Sequence, residues 1–215
     1  MSATKKSIAI ILLIIFLDQL LKFWIKMNMS LGQEIHMIGD WFIFHFTENN
    51  GMAFGMDLPG EYGKIFLSIF RLIAIIGITI YLLHLLRQHA HLGLVISISL
   101  ILAGAVGNMI DSAFYGMLFS DSFGRVSTIF PDEGGYSSFL QGRVVDMLYF
   151  PVIKGNLPDW LPIWGNRYFV FFRPVFNIAD SSITTGVFIL LFFQKRFFKT
   201  HESPSSHVDG EKIPE

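Results

Sequence analysis

The sequence predicts a mainly α membrane protein: a four-transmembrane-helix bundle with a small extracytoplasmic β-rich cradle and an additional outer loop or helix. Three observations predict it. Of 215 residues, 52% are hydrophobic and 15% charged, with 23 phenylalanines, which is too apolar for an average soluble domain. Four stretches, 7–25, 65–86, 92–111 and 178–198, are apolar over the ~20 residues that a helix needs to cross a hydrocarbon core of about 30 Å. After the first of them, Gly39-Asp40-Trp41-Phe42-Ile43-Phe44-His45-Phe46-Thr47 is rich in aromatic and β-branched residues, which favour strands, and its rings suit the headgroup region of a bilayer.

The first stretch follows Lys5 and Lys6, as a signal peptide would. Its apolar run, however, continues past Asp18 to Trp24 with no small-x-small cleavage site after it, so a retained helix is expected. Lys5 and Lys6, Arg87 between the second and third stretches, and Lys195, Arg196 and Lys199 after the fourth all fall on one side of four crossings. The positive-inside rule makes that side cytoplasmic, with both termini inside and segments 26–64 and 112–177 outside. Arg125, Arg143, Lys154, Arg167 and Arg173 lie in the long outer segment, where charge counts weigh little. Residues 117–142, with Asp132-Glu133-Gly134-Gly135, read as a polar insertion forming an extra outer lobe. The tail 200–215 reads as disordered, and residues 1–199 as one membrane domain without an internal repeat.

Several functions are disfavoured by composition. A formal net charge of −1 with no basic stripe gives no footprint for nucleic acid. The absence of cysteine removes disulfides, thiolate metal sites and a cysteine nucleophile. His84, His89 and His91 gather near the cytoplasmic link and no H-E-x-x-H motif occurs, so no metal or other cofactor is expected.

The polar residues in or beside the apolar stretches carry the chemistry. Asp18 and Lys22 are i,i+4 and can meet on one helix face, as a structural pair or as part of a site. Asn108 and Asp111 end the third stretch, after Gly104 and Gly107 spaced for close helix contact; they either hold helices together or contact a substrate backbone. Arg71, inside the second stretch, is expected to snorkel outward or to find a structural partner. Asn177 and Asp180 fall at the start of the fourth, where an acid faces the positive helix end and a helix cap is the ordinary reading. Asp146, between Val145 and Met147, is expected in a loop or at a strand edge, where apolar neighbours desolvate it and raise its pKa. Acids in such surroundings are costly and point to function, and two carboxylates brought together tend to share a proton, leaving one as acid and one as base.

Five ordered blocks carry a resemblance. They are Asp18-Gln19-Leu20-Leu21-Lys22, Asn49-Asn50-Gly51-Met52-Ala53-Phe54, Gly107-Asn108-Met109-Ile110-Asp111, Gly142-Arg143-Val144-Val145-Asp146 and Phe176-Asn177-Ile178-Ala179-Asp180. On a four-helix topology they resemble bacterial lipoprotein signal peptidase, also called signal peptidase II, over nearly the whole chain except the insertion and tail. The resemblance implies an intramembrane aspartyl endopeptidase of the bacterial inner membrane, acting near the extracytoplasmic face. It implies Asp146 and Asp180 as the catalytic dyad, with Asp18, Lys22, Asn49, Gly51, Asn108, Asp111, Arg143 and Asn177 supporting the site or holding substrate. The implied substrate is a diacylglyceryl-modified prolipoprotein, cut just before its lipid-bearing cysteine after lateral entry between helices, with membrane lipids as the other partners and a monomer as the working unit. Where the family places an arginine after the third block's aspartate, this chain has Ser112, and Arg143 is the candidate to compensate. A small proton-coupled transporter, with Asp18, Arg71, Asp111, Asp146 and Asp180 as a relay, is the alternative; it would spread ionisable groups through the membrane's depth.

Overall fold

The structure, a computed structural model, describes residues 2–51, 63–156, 159 and 168–197. Helix α1 (Ala3–Asn28) starts at Ser2, whose hydroxyl accepts from the Lys5 amide. A hairpin of β1 (Glu34–Ile38) and β2 (Phe42–Asn49) follows, then α2 (Gly63–Arg87) and α3 (Leu92–Ile110). Helix α3 does not stop at residue 111. It runs on through a π-helical turn (Asp111–Tyr115) into the short α4 (Gly116–Leu118). Strands β3 (Val144–Tyr149), β4 (Ile153–Asn156), β5 (Tyr168–Phe171) and β6 (Val175–Phe176) lead into α5 (Ile178–Phe197). The tail 200–215, Phe198, Lys199, Arg167 and the Met52-Ala53-Phe54 part of the second block lie outside the described residues.

Among the described residues, three helices are long and apolar enough to cross a membrane: Ala3–Asn28, Gly63–Arg87 and Leu92–Leu118. Helix α5 has 20 residues but polar ends, with Asp180, Ser181 and Ser182 at its start and Gln194, Lys195 and Arg196 at its finish. Helix α3 is the buried axis, packed by α1, α2 and α5. Some 61% of its most apolar window is buried, against 17% in α1 and 11% in α2, whose outward faces carry Leu12, Leu13, Phe16, Phe66, Phe70 and Ile73 exposed. Such a surface suits hydrocarbon rather than water. Gly104 and Gly107 make the close packing possible. A Cβ on Gly104 would collide with the backbone of Ala179 in α5, and one on Gly107 would sit 2.9 Å from the Asp18 carboxylate.

The expected small sheet is present as an antiparallel layer in the order β1-β2-β3-β6, with β4 and β5 paired separately. Of the loop and the strand edge expected for Asp146, it takes a strand. It sits in β3, opposite Thr47 of β2, and β6 pairs on the other side only with Leu148 and Tyr149, so Asp146 has a ladder partner on one side. Alternation along β3 turns Val145 and Met147 into a core formed with Ile25, Met29, Phe46, Tyr115 and Phe119. Asp146 and Val144 face the other way, onto a cavity. Between α4 and β3, residues 119–142 fold as the ordered lobe that the insertion suggested, held by Leu31 N donating to Ser122 O at 3.0 Å and Tyr136 N to Phe119 O at 3.0 Å.

Candidate active site: two aspartates on one cavity

The β6–α5 junction builds half of the site. Asn177 caps α5: its Oδ1 accepts from the Asp180 amide at 2.8 Å, and Asp180 Oδ2 accepts in return from the Asn177 amide at 3.4 Å. This reciprocal pair satisfies two groups of the helix start. It also holds the Asp180 side chain in place at the cavity. The other half is β3, which brings Asp146 alongside through pairing of Leu148 with Phe176 and Tyr149 with Val175.

Two asparagines join the halves. Asn177 Nδ2 donates to Asp146 Oδ1 at 2.7 Å and to Asn108 Oδ1 at 3.1 Å, while Asn108 Nδ2 donates to Asp180 Oδ1 at 2.7 Å. Asn49, at the end of β2, donates from Nδ2 to Asp146 Oδ2. Asp146 is 3% exposed. Burial first, and then the charge of Asp180, push its carboxyl up to about 8, against the opposing pull of Lys22 and the two amide donors.

Beneath this layer lies a buried ionic cluster. Lys22 Nζ contacts Asp18 Oδ2 at 2.8 Å, Asp111 Oδ2 at 2.7 Å and Asn108 Oδ1 at 3.0 Å. Asp18 Oδ1 accepts from the Ala179 amide in the first turn of α5 at 2.9 Å, and Asp111 Oδ2 from the Val145 amide of β3 at 3.2 Å. Gln19 links both acids, with Nε2 donating to Asp111 Oδ1 at 3.0 Å and to Asp18 Oδ2 at 3.2 Å, and Tyr115 Oη donates to Gln19 Oε1 at 3.1 Å. Asp18, Lys22 and Asp111 thus tie α1, α3, β3 and α5 together and do not line the cavity; Gln19 and Tyr115 belong with them.

The cavity has a volume of about 630 Å³. Asp146, Asp180, Asn49 and Asn108 form its polar floor, and Pro174, Val175, Phe176 and Ile183 an apolar wall. Of the two expectations about arginine, one holds and one fails. Arg71 takes the second of its expected courses, a partner instead of snorkelling toward lipid: it lines the cavity, and its Nη2 donates to Gly51 O. Its contact with Gly51 crosses from α2 to the end of β2, a juxtaposition that spacing along one helix does not reveal. Arg143 is not among the residues lining the cavity and does not replace an arginine at Ser112, pairing through Nη1 with Glu48 Oε2 at 3.1 Å and Asp121 Oδ2 at 3.4 Å. The side chain beside Ser112 is Lys64 of α2, with Nζ 3.4 Å from Ser112 Oγ and 2.7 Å from Asn50 O.

Among the described residues no group of three or more His, Asp or Glu side chains is placed to hold a metal. The charged groups of the supposed relay collect around the Lys22 cluster and the cavity instead of stepping through the membrane. That arrangement, together with the relatives below, leaves the transporter reading without support.

A family model described as signal peptidase (SPase) II matches residues 10–196. The chain is 49% identical over 210 residues to the lipoprotein signal peptidase of Porphyromonas gingivalis, covering 96% of this chain and 88% of that one. It is 39% identical over 189 residues to that of Amoebophilus asiaticus, covering 86% and 76%. Two solved structures described as bacterial membrane enzymes share the fold. One has a TM-score of 0.58 at 26% identity, with 93% of this chain and 94% of that chain covered; the other has 0.56 at 29%, with 88% and 92% covered. With its multi-pass membrane architecture and a match over nearly its whole length, the chain belongs to the signal peptidase II family of lipoprotein signal peptidases.

Proposed function

We propose that the protease is of the aspartic type and that Asp146 and Asp180 are its dyad. The observation that supports this best is the Asp146–Asn177–Asn108–Asp180 chain of hydrogen bonds, which presents both carboxylates to one cavity. Asp146, held protonated by burial and by its neighbour's charge, is the acid. Asp180, at the positive end of α5, is the base. Water between them adds to the scissile carbonyl as Asp180 takes its proton. The tetrahedral intermediate then loses its C–N bond as the proton of Asp146 passes to the leaving nitrogen.

The substrate is a diacylglyceryl-modified prolipoprotein, cut before the modified cysteine. The apolar wall from Pro174 to Ile183 accommodates its acyl or signal-helix side, and the amides of Asn49 and Asn108 the peptide side. Four crossings of a bacterial inner membrane, with α5 as the fourth, leave both termini cytoplasmic and the cavity near the outer face. Purified protein in lipid, given a diacylglyceryl-modified lipopeptide, tests this. Asp146→Asn and Asp180→Asn each abolish cleavage with the fold retained by circular dichroism, and a chelator leaves the wild type active. Normal turnover by either variant overturns the dyad.

A further inference from the structure

Arg71 is an expensive residue in its place. An arginine inside an apolar helix costs several kcal/mol unless something repays it, which makes it a functional candidate by default. Its surroundings are specific. Among the described residues lining the cavity it is the only cation, sharing that space with Asp146 and Asp180. The acids whose fields reach it are Asp180, Asp111 and Asp146. Its Nη2 is committed to Gly51 O. Nη1 is the one buried side-chain nitrogen or oxygen, among those described, with no hydrogen-bond partner. Gly51, at a φ of +95°, leaves room for the fork: a Cβ there would lie only 2.8 Å from Cζ and Nη2. A buried N–H without an acceptor is normally avoided, and here it belongs to a charged group beside the reacting acids.

We infer that Arg71 is a third catalytic residue, whose Nη1 donates to the carbonyl oxygen of the scissile peptide as that oxygen becomes negative. The inference rests on the aspartyl mechanism above and completes its proton count. Water adds to the carbonyl carbon, its proton goes to Asp180, and the electron pair of the C=O bond moves to oxygen. That oxyanion would otherwise compete for the proton on Asp146. With the guanidinium holding it, the proton stays available for the leaving nitrogen when the C–N bond breaks. The new carboxyl and amine then leave, and a proton returns from Asp180 to Asp146 by way of solvent. A preorganised donor aimed at developing charge in a water-poor site is typically worth about 10²–10³ in kcat.

The test compares wild type, Arg71→Gln and Arg71→Lys of the full chain in lipid, with a diacylglyceryl-modified lipopeptide and with a hydroxyl-bearing, uncleavable mimic of the tetrahedral intermediate. Thermal melts monitor folding. Arg71→Gln is expected to lower kcat by about 10²-fold while KM stays within about threefold, with affinity for the mimic falling alongside kcat and affinity for the cleaved product unchanged. Arg71→Lys keeps a charge but not the fork that serves Gly51 and substrate together, and is expected to fall between the two in kcat and mimic affinity. A residue that only braced Gly51 would raise KM and spare the ratio of mimic to product affinity; that outcome overturns the inference, as does a kcat of Arg71→Gln within threefold of wild type. If Arg71→Gln does not fold, Arg71→Lys decides, and wild-type kcat with wild-type mimic affinity overturns it. Asp146→Asn and Asp180→Asn run in parallel: inactive aspartate variants beside an unimpaired Arg71→Gln sink this inference alone, whereas active ones sink the dyad beneath it.

Discussion

Asp146 carries its proton well above the range of an ordinary aspartate, and that has two consequences of known sign. The unfolded chain releases this proton near pH 4, while the native protein keeps it to about pH 8. Between those values the native state binds more protons than the unfolded one, so Asp146 makes stability fall as pH rises through the window. Asp146→Asn removes that slope, and its thermal midpoint in detergent is expected to gain on the wild type steadily from pH 5 to pH 8. Under the proposed acid role of Asp146, kcat should fall on the alkaline side with an apparent value near 8, which belongs to the coupled pair. A rate still climbing through pH 9 would mean that Asp146 works ionised. Lys22 makes a different argument. It is fully buried between Asp18 and Asp111, and removing its charge strands two carboxylates. Lys22→Met is expected to cost about 3–5 kcal/mol, seen as a large drop in melting temperature, although Lys22 never touches the cavity.

The elements position these residues through one close crossing. Helix α5 approaches α3 at Gly104 and Gly107 because no side chain intervenes, and the first turn of α5 holds Asp180. Gly104→Val would push α5 outward against Ala179 and Ile183. Since a misplacement of ~1 Å can cost 10²-fold in rate, activity is expected to fall about 10²-fold with α-helical content retained; a variant of wild-type rate would show that this crossing does not set the geometry. The helices, that glycine spacing and the cradle were legible in sequence, because hydropathy and small-residue spacing act within single segments. So were Asp146 and Asp180, set apart by being acids among apolar residues. The sequence left Asp146 between a loop and a strand edge, since pairing of β3 with β2 and β6 depends on segments distant in sequence. For Arg71 the sequence left snorkelling and a structural partner both open for the same reason: its partner, Gly51, is brought to it only by the fold. Glu48 and Lys26 left fainter signals, an acid beside the Asn49 block and a lysine one turn beyond Lys22.

At the scale of the whole molecule, those last two residues attach the lobe 119–142 to the floor of the cavity. Lys26 Nζ, fully buried, contacts Glu48 Oε1 at 2.7 Å and Ser122 Oγ of the lobe at 2.7 Å, beneath the rings of Phe46, Phe119 and Tyr136. Glu48 in turn receives Arg143, which lies over Tyr136 and reaches Asp121. Glu48 immediately precedes Asn49, the donor to Asp146, so a disturbance of the lobe reaches Asp146 through a single peptide unit. The members are unequal. Arg143 is 38% exposed, and Arg143→Ala should cost at most about 1 kcal/mol and leave cleavage within a few-fold, since the guanidinium does not face the cavity. Glu48→Gln strands the buried charge of Lys26 and should cost about 3–5 kcal/mol, with kcat falling as Asn49 loses its fixed position. Lys26→Met alone leaves Glu48 with Arg143 and is expected to be costly too, but the double variant Lys26→Met/Glu48→Gln removes both charges and should be markedly less unstable than the sum of the two. Melting temperatures of the four proteins close that cycle, with lipopeptide cleavage measured on the same samples. Additive losses would mean that Lys26 and Glu48 are not coupled, and that the lobe is held by its backbone bond from Leu31 to Ser122 instead.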